Sequence, residues 1–148
     1  MKVIFLDIDG VLNSREYDAK CSITGGDLTA PSPKLVVRLL GVVQETGAQL
    51  VVTSTWRFFP DYVEALMAAG LPIVGATPRG DAFGTRAAEI AGWIVEHQLE
   101  YGNGDGLTFA IVDDEADAGI GFESRFVQTD PRVGLTAADA AKIVGLFT

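Results

Sequence analysis

The chain has 148 residues, 48% of them hydrophobic, which is enough for one domain with a proper buried core. Its single cysteine excludes an internal disulfide, and one cysteine with one histidine cannot form the usual Cys/His zinc sites or a well-supported Cys–His catalytic pair. A formal net charge of −9 disfavours an extended nucleic-acid-binding surface, because such a protein repels polyanions overall.

Strands and helices alternate along the predicted chain. Apolar runs predict strands at 2–6, 49–53, 72–74, 107–112 and 126–128, and helical spacing predicts helices at 31–45, 60–69, 85–99 and from 136 to 147. A turn-rich YGNGDG stretch lies at 101–106. This alternation predicts a single α/β domain over residues 1–148, with a mainly parallel sheet between two helical layers.

The sequence carries no membrane or export signal. The N-terminus leads directly into the first strand, and no apolar stretch reaches the roughly 18 residues that cross a bilayer. We therefore expect a cytoplasmic protein that has no membrane partner.

The first strand ends in Asp7-Ile8-Asp9-Gly10. The two aspartates are two residues apart and should project to the same side, while Gly10 permits a tight turn. Two carboxylates this close repel one another unless a cation or a proton lies between them. An ordinary acidic turn is the alternative interpretation of this motif taken alone.

Adjacent acids, Asp113 and Asp114, follow the largely apolar run at 107–112. Burying them is costly unless something neutralises them, and a hard divalent ion such as Mg²⁺ would do so. Because ligands of parallel sheets collect at the carboxyl ends of the strands, these acids should lie near Asp7.

Two further segments suggest phosphate binding. Thr53-Ser54-Thr55-Trp56-Arg57 follows the second buried strand, and its hydroxyls and turn amides could hold phosphate oxygens. Arg86 opens a later helix, where a cation is unfavourable to the helix dipole unless an anion binds there. Core packing of Trp56 and solvated surface positions for Arg57 and Arg86 remain open.

Together these elements resemble, in order, the four motifs of the haloacid dehalogenase (HAD) superfamily of phosphatases. More narrowly, TSTWR, TRAAEI, IVDDE and TDPRVGLT look like the HAD modules of RNA repair, which have the layout of polynucleotide 3′-phosphatases. The resemblance implies a Rossmann-like three-layer fold. The segment at 13–30 has the length of a flap hairpin, so no cap domain is expected.

The same resemblance assigns roles to individual residues. Asp7 would be the nucleophile that forms an aspartyl-phosphate, and Asp9 the general acid and base. The predicted phosphate-binding residues are Ser54, Thr55 and Arg86, the predicted substrate-binding residues are Trp56 and Arg57, and the predicted Mg²⁺ ligands are Asp7, the Asp9 carbonyl, Asp113 and Asp114. Thr53 and Thr55 compete with Ser54 for the second motif, and the third motif often has lysine where this chain has Arg86.

These inferences predict a Mg²⁺-dependent phosphomonoester hydrolase. The leading substrate is the phosphorylated end of a nucleotide or nucleic acid, because a site without a cap is open to bulky substrates. A phosphoprotein or small-metabolite phosphatase remains an alternative, as does a phosphate- or Mg²⁺-binding module without turnover.

Overall fold

Five parallel strands form the central sheet in a computed structural model that describes residues 1–26, 30–78, 84–98 and 106–148. The strands are β1 (Lys2–Leu6), β2 (Gln49–Val52), β3 (Ile73–Ala76), β4 (Thr108–Asp113) and β5 (Phe126–Gln128). Their order in the sheet is β3-β2-β1-β4-β5, and every neighbouring pair is parallel. Strand β1 therefore lies at the centre, where both faces are covered and the sequence is apolar.

In the described part of the chain, five helices accompany the sheet: α1 (Arg15–Thr24), α2 (Pro33–Thr46), α3 (Pro60–Ala68), α4 (Arg86–Gln98) and α5 (Ala137–Gly145). Short 3₁₀ turns cover Thr55–Phe58, Ala116–Gly119 and Glu123–Arg125. The predicted capping box is present: the Thr136 hydroxyl accepts from the Asp139 amide, and the Asp139 carboxylate accepts from the Thr136 amide. None of the described helices is both long and apolar enough to span a membrane.

Helices pack on both faces of the sheet and give two separate apolar cores. On one face, buried side chains of β1, β2 and β4 contact those of α2, α3 and α5, including Leu39, Leu66 and Ile143. On the other face, Ile90 and Trp93 of α4 pack against alternate residues of the same strands. The predicted Rossmann-like three-layer α/β fold is confirmed, and the described residues contain no cap domain.

The structure differs from the prediction in the segment at 13–30. Its described part forms helix α1 instead of a hairpin, with the Ser14 hydroxyl accepting from the Tyr17 amide and Gly25 ending the helix at φ 74°. Only Cys21 of this helix is buried, so the sequence has no apolar period that would reveal it. Residues 27–29 of this segment, residue 99 and most of the predicted turn at 101–106 lie outside the described residues.

Candidate active site

The carboxyl ends of β1, β2 and β4 bring the predicted site residues to one edge of the sheet. Main-chain pairing continues past the strands, because the Asp7 amide donates to the Val112 carbonyl at 3.0 Å and the Thr53 amide donates to the Leu6 carbonyl at 2.9 Å. This pairing fixes Asp7 between the end of β2 and Asp113. The sequence pattern therefore indicated the correct edge of the sheet.

Three carboxylates form a compact cluster at this edge. Asp7, Asp113 and Asp114 each offer an oxygen, and these oxygens lie within 4.8 Å of one another. Asp7 is 3% exposed and Asp113 is fully buried. The Arg86 Nη1 atom lies 2.7 Å from the Asp113 Oδ2 atom and 3.1 Å from the Asp7 Oδ1 atom. One guanidinium therefore faces three carboxylates, and the cluster has an excess of negative charge.

Burial and mutual repulsion raise the pKa values of two carboxyl groups in this cluster. Burial, together with repulsion from Asp113, raises the pKa of Asp7 to about 8, although Arg86 acts in the opposite direction. Burial also raises the pKa of Asp114. Hard oxygen donors with unneutralised charge are the ligands that Mg²⁺ prefers, so these residues fit a divalent cation.

Mg²⁺ should stabilise the protein more at pH 8 than at pH 5. Between pH 3.8 and about 8, Asp7 keeps its proton in the folded protein but loses it in the unfolded chain. The folded state then binds more protons, so the free energy of unfolding in EDTA should fall as the pH rises through this window. Mg²⁺ requires the ionised carboxylate, and its stabilisation by linkage should grow over the same range.

Melting temperatures at pH 5 and pH 8, in EDTA and in Mg²⁺, test this expectation. Asp114→Ala should weaken the Mg²⁺ shift, whereas Asp61→Asn, a change at an acid of α3 outside the cluster, should keep it. An Asp114→Ala protein with the wild-type Mg²⁺ shift would show that the cluster is not the metal site.

The Asp9 carboxylate is not part of this cluster and has its own partners. Asn13 Nδ2 donates to Asp9 Oδ1 at 2.7 Å, and Trp56 Nε1 lies 3.2 and 3.1 Å from the two Asp9 oxygens. The Gly10 amide in turn donates to Asn13 Oδ1 at 2.8 Å. The Asp9 side chain is exposed and held in one orientation, as a group that exchanges protons with a substrate should be. A metal contact through the Asp9 carbonyl stays a prediction.

Position 10 requires glycine, because the loop after β1 has a positive φ there and passes close to the Asp114 side chain. Its φ is +80°, and a Cβ atom at this position would lie 2.6 Å from the Asp114 Cγ and Oδ2 atoms. The Thr129 hydroxyl donates to the Gly10 carbonyl at 2.7 Å and so holds the loop in place. Any larger residue at position 10 would displace the carboxylate.

The three hydroxyl residues after β2 occupy different environments. Thr53 and Ser54 are each 1% exposed, and the Ser54 Oγ accepts from the Trp56 amide at 3.2 Å. Thr55 is exposed and lines a cavity of about 380 Å³ together with Arg86 and Glu115. The structure therefore places Thr55 and Arg86 at one cavity, and the assignment of the phosphate-binding hydroxyl stays a prediction.

A comparison with known protein families gave one match. A family model described as "HAD domain in Swiss Army Knife RNA repair proteins" matches residues 3–140. The chain belongs to this HAD family. Searches of curated proteins and of solved structures gave no significant match. The resemblance inferred from the four motifs is confirmed, and membership supports a phosphatase-type hydrolase in general.

Arg57 of the HAD domain has a structural role that the sequence did not indicate. Its Nε donates to the Thr77 carbonyl at 2.9 Å, and its Nη1 donates to the Thr53 and Ser54 carbonyls at 2.7 and 2.9 Å. Its Nη2 forms an ion pair with Glu89 at 3.1 Å, and the side chain is 5% exposed. These contacts hold the guanidinium within the fold, and because Arg57 also lines the cavity of Thr55 and Arg86, its substrate-binding role stays a prediction.

Trp56 lies beside the catalytic candidate Asp9 and packs against two other aromatic rings. Its ring stacks on Tyr62 with centroids 4.4 Å apart and contacts Phe59 at 5.4 Å. The three rings and Pro31 line an apolar cavity of about 310 Å³. Trp56 also packs against the core and is half-buried, as the core-packing interpretation expects, and its substrate-binding role stays a prediction.

Two site residues were missed by the sequence reasoning. Asn13 holds both Asp9 and the Gly10 amide, and Thr129 holds the Gly10 carbonyl. Asn13 carried a signal, because it is a polar residue at the end of an apolar turn and four residues after Asp9. Thr129 carried none, since its partner lies 119 residues away in the chain.

Proposed function

We propose that this HAD domain is a Mg²⁺-dependent phosphomonoester hydrolase that acts through an aspartyl-phosphate on Asp7. The observation that carries the proposal is the buried Asp7 carboxylate at the end of β1, 3.1 Å from Arg86 and clustered with Asp113 and Asp114. A binding module without turnover would need the acid cluster, but it would have no use for a second, separately oriented carboxylate at Asp9.

The chain's own residues supply each chemical step. An Asp7 oxygen attacks phosphorus, the bond from phosphorus to the leaving oxygen breaks, and Asp9 donates a proton to that oxygen. Asp9 then takes a proton from a water molecule whose oxygen attacks the aspartyl-phosphate, which releases phosphate and restores Asp7. Arg86 offsets the charge of the phosphoryl oxygens throughout. A bound Mg²⁺ would supply further charge neutralisation next to Asp7, Asp113 and Asp114.

The phosphorylated 3′ end of a nucleic acid is the substrate class that we favour. The matched family is described by its place in RNA repair proteins. The aromatic cavity of Trp56, Phe59 and Tyr62 lies next to Asp9, where the leaving group would be, and an aromatic ring can stack a base for about 1–3 kcal/mol.

A short oligonucleotide 3′-phosphate should therefore be cleaved with a higher kcat/KM than sugar phosphates or phosphopeptides. Phe59→Ala should reduce this preference by about 5- to 150-fold, the equivalent of one stacked base, and leave p-nitrophenyl phosphate hydrolysis nearly unchanged. Phe59 is the better test than Trp56, because it is 55% exposed and its ring is not bonded to Asp9.

Phe58→Ala is the matched control. Phe58 is 45% exposed and adjacent in sequence, but it is not among the residues that line the cavity. If sugar phosphates or phosphopeptides win the comparison, the substrate class is wrong and the phosphatase proposal stands. If no phosphomonoester is hydrolysed with Mg²⁺, the phosphatase proposal itself fails.

A further inference from the structure

Asn13 joins two parts of the loop that follows β1 through a single side chain. Its Oδ1 atom accepts from the Gly10 amide at 2.8 Å, and its Nδ2 atom donates to the Asp9 Oδ1 atom at 2.7 Å. An amide group has one acceptor end and one donor end, so these partners fix which end faces which. A reversed amide would place its oxygen against a carboxylate and its NH₂ group against an N–H donor. The Asn13 side chain therefore has a single favourable orientation.

The main chain on both sides of Asn13 is held by other parts of the fold. On one side, the Leu12 carbonyl accepts from the Ser32 amide at 2.7 Å. On the other side, Ser14 is the N-cap of α1, and its hydroxyl accepts from a helix amide at 3.1 Å. The position from which the Asn13 side chain reaches Asp9 is therefore set by the fold itself.

The two oxygens of the Asp9 carboxylate differ in their hydrogen bonding. Oδ1 accepts from Asn13 at 2.7 Å and from the Trp56 indole N–H at 3.2 Å. Among the described residues, Oδ2 accepts from Trp56 alone, at 3.1 Å. A carboxylate oxygen has about two lone-pair sites, so both sites of Oδ1 are engaged and Oδ2 keeps one. Because the Asp9 side chain is exposed, this remaining site can face a substrate.

We propose that Asn13 is a positioning residue that reserves the Oδ2 atom of Asp9 for proton transfer. This inference rests on the proposed function and deepens it. As the bond from phosphorus to the leaving oxygen breaks, the proton on Oδ2 moves to that oxygen. Oδ2 then takes a proton from water, whose oxygen bonds to phosphorus while the electron pair of the broken bond returns to the Asp7 carboxylate. Without the Asn13 donor, Trp56 alone orients Asp9, and both transfers lose their alignment.

Asn13→Asp separates the two bonds of this side chain. The change is nearly isosteric and keeps an oxygen that accepts from the Gly10 amide, but it removes the donor to Asp9. The kcat/KM for an alkyl phosphate should fall by about 10- to 100-fold, because its leaving oxygen needs the proton. The kcat/KM for p-nitrophenyl phosphate should change little, since p-nitrophenolate leaves without a proton. The ratio of the two values does not depend on the fraction of protein that folds.

The lifetime of the phosphorylated protein is a readout that separates positioning from damage to the fold. With ³²P-labelled p-nitrophenyl phosphate and Mg²⁺, Asp7 of the Asn13→Asp protein should be labelled at the wild-type rate. During a chase with unlabelled substrate, the ³²P should leave this protein about 10- to 100-fold more slowly, because Asp9 no longer takes the proton of water efficiently. A damaged site would slow the labelling step as well.

Three further proteins separate the Asn13 contact from charge and from independent effects. Gln44→Glu makes the same chemical change, from a neutral amide to a carboxylate, at an exposed position of α2, and should behave as the wild type. Asn13→Ala removes both bonds without adding a charge and should reproduce the decrease for the alkyl phosphate. In the Asp9→Asn background, Asn13→Ala should cause little further decrease, because the two residues act as one unit.

The proposal is overturned if the two Asn13 variants lower kcat/KM equally for the alkyl and the aryl phosphate, or if they lose ³²P at the wild-type rate. It is also overturned if the decreases caused by Asn13→Ala and Asp9→Asn multiply in the double variant. A wild-type protein that retains no ³²P on Asp7 would refute the aspartyl-phosphate mechanism instead, while the comparison of alkyl and aryl substrates would still decide the role of Asn13.

Discussion

Asp7→Asn should abolish turnover of p-nitrophenyl phosphate in the presence of Mg²⁺. An amide cannot attack phosphorus, so the covalent step has no substitute among the other acids of the cluster. The change is nearly isosteric and removes one of three clustered carboxylates, so the metal-free protein should keep its fold and should not melt at a lower temperature. A fall in activity would therefore reflect the missing nucleophile and not unfolding.

The test measures initial rates of hydrolysis and the amount of ³²P that stays on the protein after an acid quench. The wild-type protein should retain ³²P on Asp7 after a quench with a labelled substrate, and Asp7→Asn should retain none. Asp18→Asn is a matched control, because it makes the same chemical change in the first turn of α1, outside the carboxylate cluster. Substantial residual turnover in pure Asp7→Asn protein would refute the nucleophile assignment.

Asp9→Asn should lower turnover of an alkyl phosphate by about 10²–10⁴-fold, the usual contribution of a general acid or base. The decrease in kcat/KM should be smaller for p-nitrophenyl phosphate, because p-nitrophenolate leaves without needing a proton. Equal decreases in kcat/KM for aryl and alkyl substrates would mean that Asp9 acts only in positioning.

The bond from Trp56 to Asp9 allows a second measurement of the same role. Trp56→Phe deletes the N–H donor and keeps an aromatic ring against Tyr62, so it should lower alkyl phosphate hydrolysis when Asp9 is present. In the Asp9→Asn background the same change should have little further effect, since the two residues are coupled. Trp93→Phe, in the opposite core, is the control. Additive decreases would show that Trp56 acts through folding alone.

The strands and the acid cluster were predictable because their signals are local. A fully apolar run that ends in aspartate, as at 3–7 and at 109–113, has few uses other than a central parallel strand that leads to a site. Parallel pairing then places the strand ends side by side without further information. Helix α1 was not predictable in the same way, because it buries a single residue and shows no apolar stripe.

The partners of Trp56 and Arg57 could not be predicted from the sequence. The 3₁₀ turn at Thr55–Phe58 sets the direction of both side chains, and it was not among the predicted elements. Their partners are also distant in the chain: Asp9 is 47 residues from Trp56, and Glu89 is 32 residues from Arg57. Such contacts depend on how the sheet and helices assemble. The substrate-binding roles of both residues stay predictions.

The contacts of Arg57 make the spacing of the site a property of two joined layers. Asp7 belongs to the sheet, whereas Arg86 is carried by α4, and Glu89 stands one turn further along that same helix. Arg57 joins the sheet to α4, because it donates to the carbonyls that follow β2 and β3 and forms an ion pair with Glu89. These contacts therefore help to set the distance between the Asp7 carboxylate and the Arg86 guanidinium. Loss of the Arg57 contacts would weaken phosphate binding even in a protein whose catalytic groups are all intact.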